Sequence, residues 1–184
     1  MKKQILSFLA AFAVAGTSFA GTEATSKEYK QPVVPVSCFK DFETTVDLFY
    51  SYNDGINTGG REKYYHDRSG GGVAATYWFY RYFGAGLEGN WFDGAPNKDV
   101  INEATAQLFV RYPVELGGFC FAPYIFGGGG GTWNGTSAGI GDVGTGIEYR
   151  FTPNIGIFAD WRYVFAGHNF NYFDTSRAGL RFIF

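Results

Sequence analysis

Beyond Ala20 the chain has no apolar run approaching the roughly 20 residues that a transmembrane helix needs. The remainder of the chain is therefore either exported and soluble, or crosses a membrane as strands. Charge is sparse. Only 17% of residues are Asp, Glu, Lys or Arg and the net charge is -2, so no basic footprint marks a nucleic-acid partner. The only histidines are His66 and His168, and the only cysteines are Cys38 and Cys120. The glycine run 127–131 lacks the Gly-Lys-Ser/Thr that must follow in a phosphate-cradling loop, and reads as a flexible strand end. No metal and no cofactor is expected. What the chain has in quantity is glycine, 27 residues, and aromatics, 20% of the total, with 13 Tyr and 20 Phe. Mean hydropathy is -0.11. That average does not exclude a membrane, because a strand barrel hides its apolar face by alternation.

The N-terminus reads as an export signal. Met1-Lys2-Lys3 is positive, Ile5 to Gly16 is mostly apolar, and Ser18-Phe19-Ala20 places small residues before a cut after Ala20. The expected segments are a cleaved signal peptide (1–20), an irregular periplasmic leader (21–40) containing Pro32 and Pro35, and one domain (41–184).

The most informative stretch is Val143 to Phe165. Val143, Thr145, Ile147, Tyr149 and Phe151 alternate with Gly144, Gly146, Glu148 and Arg150. After Thr152-Pro153-Asn154 the alternation resumes: Ile155, Ile157, Ala159, Trp161, Tyr163 and Phe165 against Gly156, Phe158, Asp160, Arg162 and Val164. Period two means strand, and the Pro-Asn break means turn. Pairing Phe151 with Ile155 around a three-residue loop keeps both apolar faces on one side. The hairpin alone fits a soluble sandwich with its oily face inside, or a membrane barrel with that face outside.

The same alternation recurs along the chain. The first strand is read at 41–53, with Val46, Leu48, Tyr50 and Tyr52 on one face and Phe49 an exception on the other. The second, 71–79, and third, 83–92, join at Tyr80-Arg81-Tyr82, with Phe79 expected opposite Phe83. The fourth covers 103–112 and the fifth 119–128, joined by a turn at 113–118. Both parities of the fifth are apolar, so its faces stay unassigned. A glycine-rich loop is expected at 129–139, around Trp133. The hairpin supplies the sixth and seventh strands, and 174–184 the eighth. Long loops fall at 54–69, 93–102, 129–139 and 166–172. That gives eight strands of about ten residues, the length a tilted strand needs to cross a bilayer, with connections alternating long and short. The fold class is all-β: an eight-stranded antiparallel up-and-down transmembrane barrel with short periplasmic turns and longer extracellular loops.

This pattern resembles the eight-stranded OmpA/OmpX-type bacterial outer-membrane barrels over roughly 41–184. The likeness is carried by the alternation, by EYRFTPNIGI at 148–157 and by the ending AGLRFIF at 178–184. It implies the bacterial outer membrane, contact with its lipid, and a terminal signal, Ala178, Leu180, Phe182 and Phe184, read by the barrel-assembly machinery. For activity it implies little, since such barrels host structural proteins, adhesins, small pores and lipid enzymes.

Inside such a barrel would lie Asp47, Glu88, Gln107, Arg111, Asp142, Glu148, Arg150, Asp160, Arg162, Arg177 and Arg181. Eight strands leave room for side chains only, so opposite charges should pair and close the lumen. The alternative is a narrow ion or small-solute path along them. Cys38 and Cys120 both fall near periplasmic strand ends, either bridged or as free thiols. His66 stands near Asp67 and Ser69, and His168 near Ser176, in loops where some barrels acylate or deacylate lipid A. Their spacing matches no motif, and no catalytic residue is expected. Tyr64, Tyr65, Trp133, Phe170 and Tyr172 are candidates for a surface partner of unknown kind, or simply an aromatic belt. The expected role is structural or cell-surface interaction.

Overall fold

The computed structural model describes residues 37–55, 68–93, 100–133, 137–166 and 172–184. The signal segment, the leader up to residue 36, and Tyr64, Tyr65, His66, Asp67, His168 and Phe170 lie outside them. Nine strands succeed one another: β1 Glu43–Gly55, β2 Arg68–Tyr80, β3 Phe83–Phe92, β4 Ile101–Arg111, β5 Val114–Leu116, β6 Phe119–Trp133, β7 Ala138–Thr152, β8 Ile155–Ala166 and β9 Phe173–Ile183. The hydrogen-bonded order is β4-β3-β2-β1-β9-β8-β7-β6, and a further β4–β6 pairing closes the ring. Every pairing is antiparallel. Eight strands make the barrel. The ninth, β5, is a short hairpin arm on the start of β6, where a plain turn was expected at 113–118.

The register follows the alternation with two local refinements. Along β2–β3 and β7–β8 it is the one a three-residue loop would set, with Tyr77 opposite Ala85 and Tyr149 opposite Ile157. At the turns themselves the pairing shifts, so that Tyr80 meets Phe83 and Thr152 meets Ile155. The expected partners Phe79–Phe83 and Phe151–Ile155 are thus replaced by tighter turns with a bulge. A bulge absorbs one extra residue without moving the rest of the strand to the other face.

The orientation of the faces is inverted relative to a soluble protein. Leu48, Leu87, Leu108, Ile147, Trp161 and Leu180 are exposed, each by 45% or more, while Glu148 and Arg162 are wholly buried at 0%. Tyrosine, phenylalanine and tryptophan gather toward both ends of the outer face, with Tyr80, Tyr112, Phe151 and Phe184 at the short-turn end and Tyr52, Trp91 and Trp133 at the other. Between them lie Leu, Ile, Val and Ala. An apolar waist between two aromatic girdles is what a lipid bilayer selects.

Two expectations need correction. The faces of the fifth strand, β6, are clear: Cys120, Ala122, Tyr124 and Phe126 point inward, while Phe119 and Ile125 point outward. And residues 129–133 are not loop. β6 runs to Trp133 and β7 begins at Ala138, with Gly128 and Gly130 paired to Gln107 and Thr105 on one side and to Asp142 and Ile140 on the other. A Cβ on Gly128 or Gly130 would overlap the carbonyl oxygens of Ala106 and Ala104. Close approach of two strands, rather than a flexible loop, is why glycine stands there.

An arginine at the waist should be costly. Leu87 is 69% exposed and sits between Ala75 and Ala106. Leu87→Arg is expected to destabilise the barrel by about 2–4 kcal/mol in lipid vesicles, read by denaturant titration, while Leu87→Ala costs far less. An arginine tolerated there would contradict the lipid-facing assignment.

Candidate functional site

The interior is the only place where this chain concentrates chemistry-bearing side chains among the described residues, and each strand delivers them by simple parity. Odd positions of β1, β4 and β9 and even positions of β2, β3, β6, β7 and β8 point inward. The charged ones fall into two groups along the axis.

The group nearer the short turns joins Glu43 and Asp47 of β1, Arg111 of β4, Glu148 and Arg150 of β7, and Arg181 of β9. Arg111 reaches Glu43 at 2.6 Å and Glu148 at 3.7 Å. Arg150 reaches Glu43 at 2.5 Å and Glu148 at 2.6 Å. Arg181 bridges Asp47 and Glu148, both at 2.6 Å. Three carboxylates face three guanidiniums, so the charge is balanced. Arginine suits this work because its planar fork can serve two carboxylates at once.

The group nearer the long loops joins Glu88 of β3, Glu103 of β4, Asp142 of β7, Asp160 and Arg162 of β8, and Arg177 of β9. Arg162 contacts Glu88 at 2.9 Å, Glu103 at 3.0 Å and Asp142 at 3.2 Å. Arg177 pairs with Glu88 and, at 2.7 Å, with Asp160. Gln107 donates to Asp142 at 2.5 Å, and the Tyr124 hydroxyl donates to Asp160 at 2.8 Å.

Aromatic rings interleave with these ions. Trp78, Phe109, Tyr124 and Phe126 form one inward cluster, and Phe49 meets Phe158 edge-on at 6.3 Å. Arg111 lies over Trp78 at 3.7 Å, Arg181 over Phe158 at 4.8 Å and Arg177 over Phe49 at 5.0 Å. A weakly hydrated guanidinium on a ring face loses less on leaving water than an ammonium would. Toward the long-loop end the ions are followed by an apolar layer, Phe92, Ile101, Ile140, Val164 and Phe173, all buried.

The short-turn end is crossed by the residues before β1. Cys38 and Cys120 are disulfide-bonded, with Cα atoms 6.0 Å apart. Phe39 is 1% exposed, packed on Cys120 and Ala122, with Arg150 over its ring at 4.1 Å and Arg111 at 4.9 Å. Arg150 donates to the Cys38 carbonyl at 2.6 Å, and the Ser37 hydroxyl and the Cys38 amide donate to Glu115. The end of the expected leader, 37–40, is thus a strap packed under the barrel. Its exit into β1 passes through Phe42 at φ 59°, a left-handed backbone uncommon for a bulky residue.

All ten charged residues singled out from the sequence are inward and buried. Reasoning from the sequence missed Glu43 and Glu103, which each continue the parity of Asp47 and Gln107 by two steps toward the strand start. It also missed the inward aromatics, which carry no polar signal. Ala178, Leu180, Phe182 and Phe184 lie along the outer face of the last strand, and the Phe184 backbone pairs with Thr44 to complete the seam. Trp133 and Tyr172 are exposed at the long-loop end, with Tyr172 stacked on Tyr163 at 5.6 Å. Ser69 is half-buried, and Ser176 faces outward from β9.

Closed ring, inverted faces and ionic interior together define an eight-stranded all-antiparallel barrel of the outer-membrane type. Solved structures of that type align with it. The N-terminal β-barrel domain of Pseudomonas aeruginosa OprF superposes with a TM-score of 0.57 at 15% identity, over 79% of this chain and 99% of that one. Ail, the attachment invasion locus protein of Yersinia pestis, gives 0.54 at 12% identity, over 78% and 99%. A de novo designed transmembrane β-barrel gives 0.55 at 16%, over 79% and 98%. At these identities the likeness speaks for the fold. No protein-family model and no curated protein sequence matches the chain.

Two perturbations test how the interior is held. Glu148 serves three arginines, so Glu148→Ala strands buried positive charge and is expected to cost about 3–5 kcal/mol in denaturant titration. Reducing the Cys38–Cys120 bridge, which spans 82 residues, is expected to lower stability by about 2–4 kcal/mol. A mass shift on reduction checks that the bridge is present.

Proposed function

We propose that the protein is a bacterial outer-membrane barrel, exported through a cleaved signal peptide, whose role is structural or one of interaction at the cell surface, and whose lumen does not conduct. One observation supports this reading: the inward side chains of the described strands are buried along the length of the barrel. The strap with Phe39 lies at one mouth, two ion-paired groups and aromatic rings line the middle, and a cluster of five buried apolar side chains lies toward the other. An ion would have to break several buried salt bridges and enter an apolar layer, each at a cost of several kcal/mol.

On this reading the short turns face the periplasm and the long connections face outside, as is general for such barrels. The outward row ending in Phe184 would be the segment read by the assembly machinery. Ail's name, attachment invasion locus protein, indicates that the fold can carry surface adhesion. Here Trp133, at the end of β6, and Tyr172, just before β9, are the described residues that would face a partner. Small-solute passage is the weaker reading because the interior is filled. Lipid A acyl transfer or deacylation is weaker still, since the spacing of His66, Asp67, Ser69, His168 and Ser176 in the sequence matches no motif.

Three measurements test the proposal together. The protein is expected to leave cells only with detergent, not by osmotic shock. A tag inserted between β1 and β2 should be detected on intact cells. In planar bilayers the wild type should show no discrete conductance steps. Release by osmotic shock would overturn the membrane assignment, and steady single-channel steps would overturn the closed lumen.

A further inference from the structure

The two ionic groups of the interior are not alike. The lower one balances three carboxylates with three guanidiniums. Among the described residues the upper one sets four carboxylates, Glu88, Glu103, Asp142 and Asp160, against Arg162 and Arg177. Two uncompensated negative charges inside a lipid-embedded ring would be strongly unfavourable. The other described cation toward this end, Arg68 at the start of β2, has partners of its own at the rim, among them the Asp93 carbonyl, to which its Nη1 donates.

The four acids differ in how well they are served. Asp160 holds Arg177 through two hydrogen bonds and also accepts from Tyr124. Glu88 meets both arginines. Asp142 has Arg162 and Gln107. Glu103 has Arg162 alone, the fewest partners of the four; its Oε2, like Glu88 Oε1 and Asp142 Oδ1, is buried without a hydrogen-bond partner. The residue is 2% exposed and its side chain points into the group. Around it stand Glu88 and Asn90 from β3, Thr105 and Gln107 from its own strand, Asp142 from β7, Asp160 and Arg162 from β8, and Arg177 from β9. Among the described residues no three carboxylate, histidine or cysteine side chains converge with the spacing of a metal site.

We infer that the upper group is a proton-binding site, and that Glu103 carries a proton when the barrel is folded at neutral pH. The neutral acid still accepts from Arg162 through Oε1 and places a hydrogen on the otherwise unpartnered Oε2. The residual negative charge of the group is halved, and Arg162 is left to Glu88 and Asp142. The protonated site stands apart from the proposed surface role and does not depend on it. Its thermodynamic consequence has a fixed sign. The folded barrel holds a proton that the unfolded chain releases, so the stabilisation is present at acidic pH and is lost as pH rises through the folded-state titration.

Infrared spectroscopy of the refolded protein in detergent tests this directly. The wild type at neutral pH should show the carbonyl band of a protonated carboxylic acid. The band should disappear in Glu103→Gln and persist in Glu88→Gln. Glu103→Gln should fold with a heat-unfolding midpoint at least equal to that of the wild type, and should lose the wild type's fall in midpoint with rising pH. If Glu88→Gln does not fold, titrating the wild-type band with pH and its loss in Glu103→Gln still decide the matter. No protonated band in the wild type, a band that survives in Glu103→Gln, or one that vanishes only in Asp142→Asn would each overturn the inference.

Discussion

An eight-stranded ring is so narrow that its interior belongs to side chains, and in lipid those side chains cannot rely on water to neutralise them. Most described features of the interior answer to that constraint. Charges cannot point outward, where lipid would meet them, so they are enclosed. Once enclosed they must meet an opposite charge at hydrogen-bond distance, because an isolated buried ion is far more costly than an exposed one. That is why the ion pairs among the described residues lie in the interior and why their cations are all arginines. Lysine would bring a compact, strongly hydrated charge that serves fewer partners.

Packing obeys the same narrowness. Phe49 spreads over Gly72, and Trp78 over Gly84, so that a Cβ at either glycine would collide with a ring, while at Gly179 it would meet the Leu48 carbonyl and the Phe49 Cβ. Large rings on some strands are matched by missing side chains on others. The high glycine and aromatic content seen in the composition is therefore one property, not two. The aromatics also shield the ion pairs and give the guanidiniums a polarisable surface to lie on. The interior has an unusual composition, with a strap and a disulfide at one end and, at the other, an apolar cluster beside the buried polar residues Asn53, Arg68 and Thr132.

The sequence made most of this legible where the two faces of a strand differ in polarity. β7 and β8 alternate charge with oil, so their orientation, register and inward residues could be read at once. β6 resisted such a reading because Tyr124 and Phe126 face inward while Ile125 faces lipid, and hydrophobicity cannot separate a ring in a barrel from an aliphatic chain in a membrane. The strand half of the glycine run was misread for a related reason. Glycine marks both loops and close strand contacts, and only the pairing of Gly128 and Gly130 with β4 and β7 distinguishes them. The bridge between Cys38 and Cys120 depends on where the strap crosses the barrel, which is a three-dimensional fact with no local signal.

The low identity to structures of the same shape is itself a consequence of this physics. Closing eight strands in a bilayer demands alternation, an even strand count, small residues where strands or rings crowd, and a neutral interior. It does not demand any given residue at any given position. OprF's barrel domain, Ail and a designed barrel can therefore converge on one architecture at 12–16% identity, and a designed barrel among them shows that the shape needs no shared ancestry of function. What distinguishes one such barrel from another lies where the constraint relaxes, in the loops and in departures from a minimal interior. In this chain the described departures are the disulfide-tied strap and the acid-rich upper ion group. A neutral interior can be built with balanced pairs alone, as the lower group demonstrates. An excess of carboxylate held away from water is not required for closure, so it is the feature of the interior that the fold does not explain.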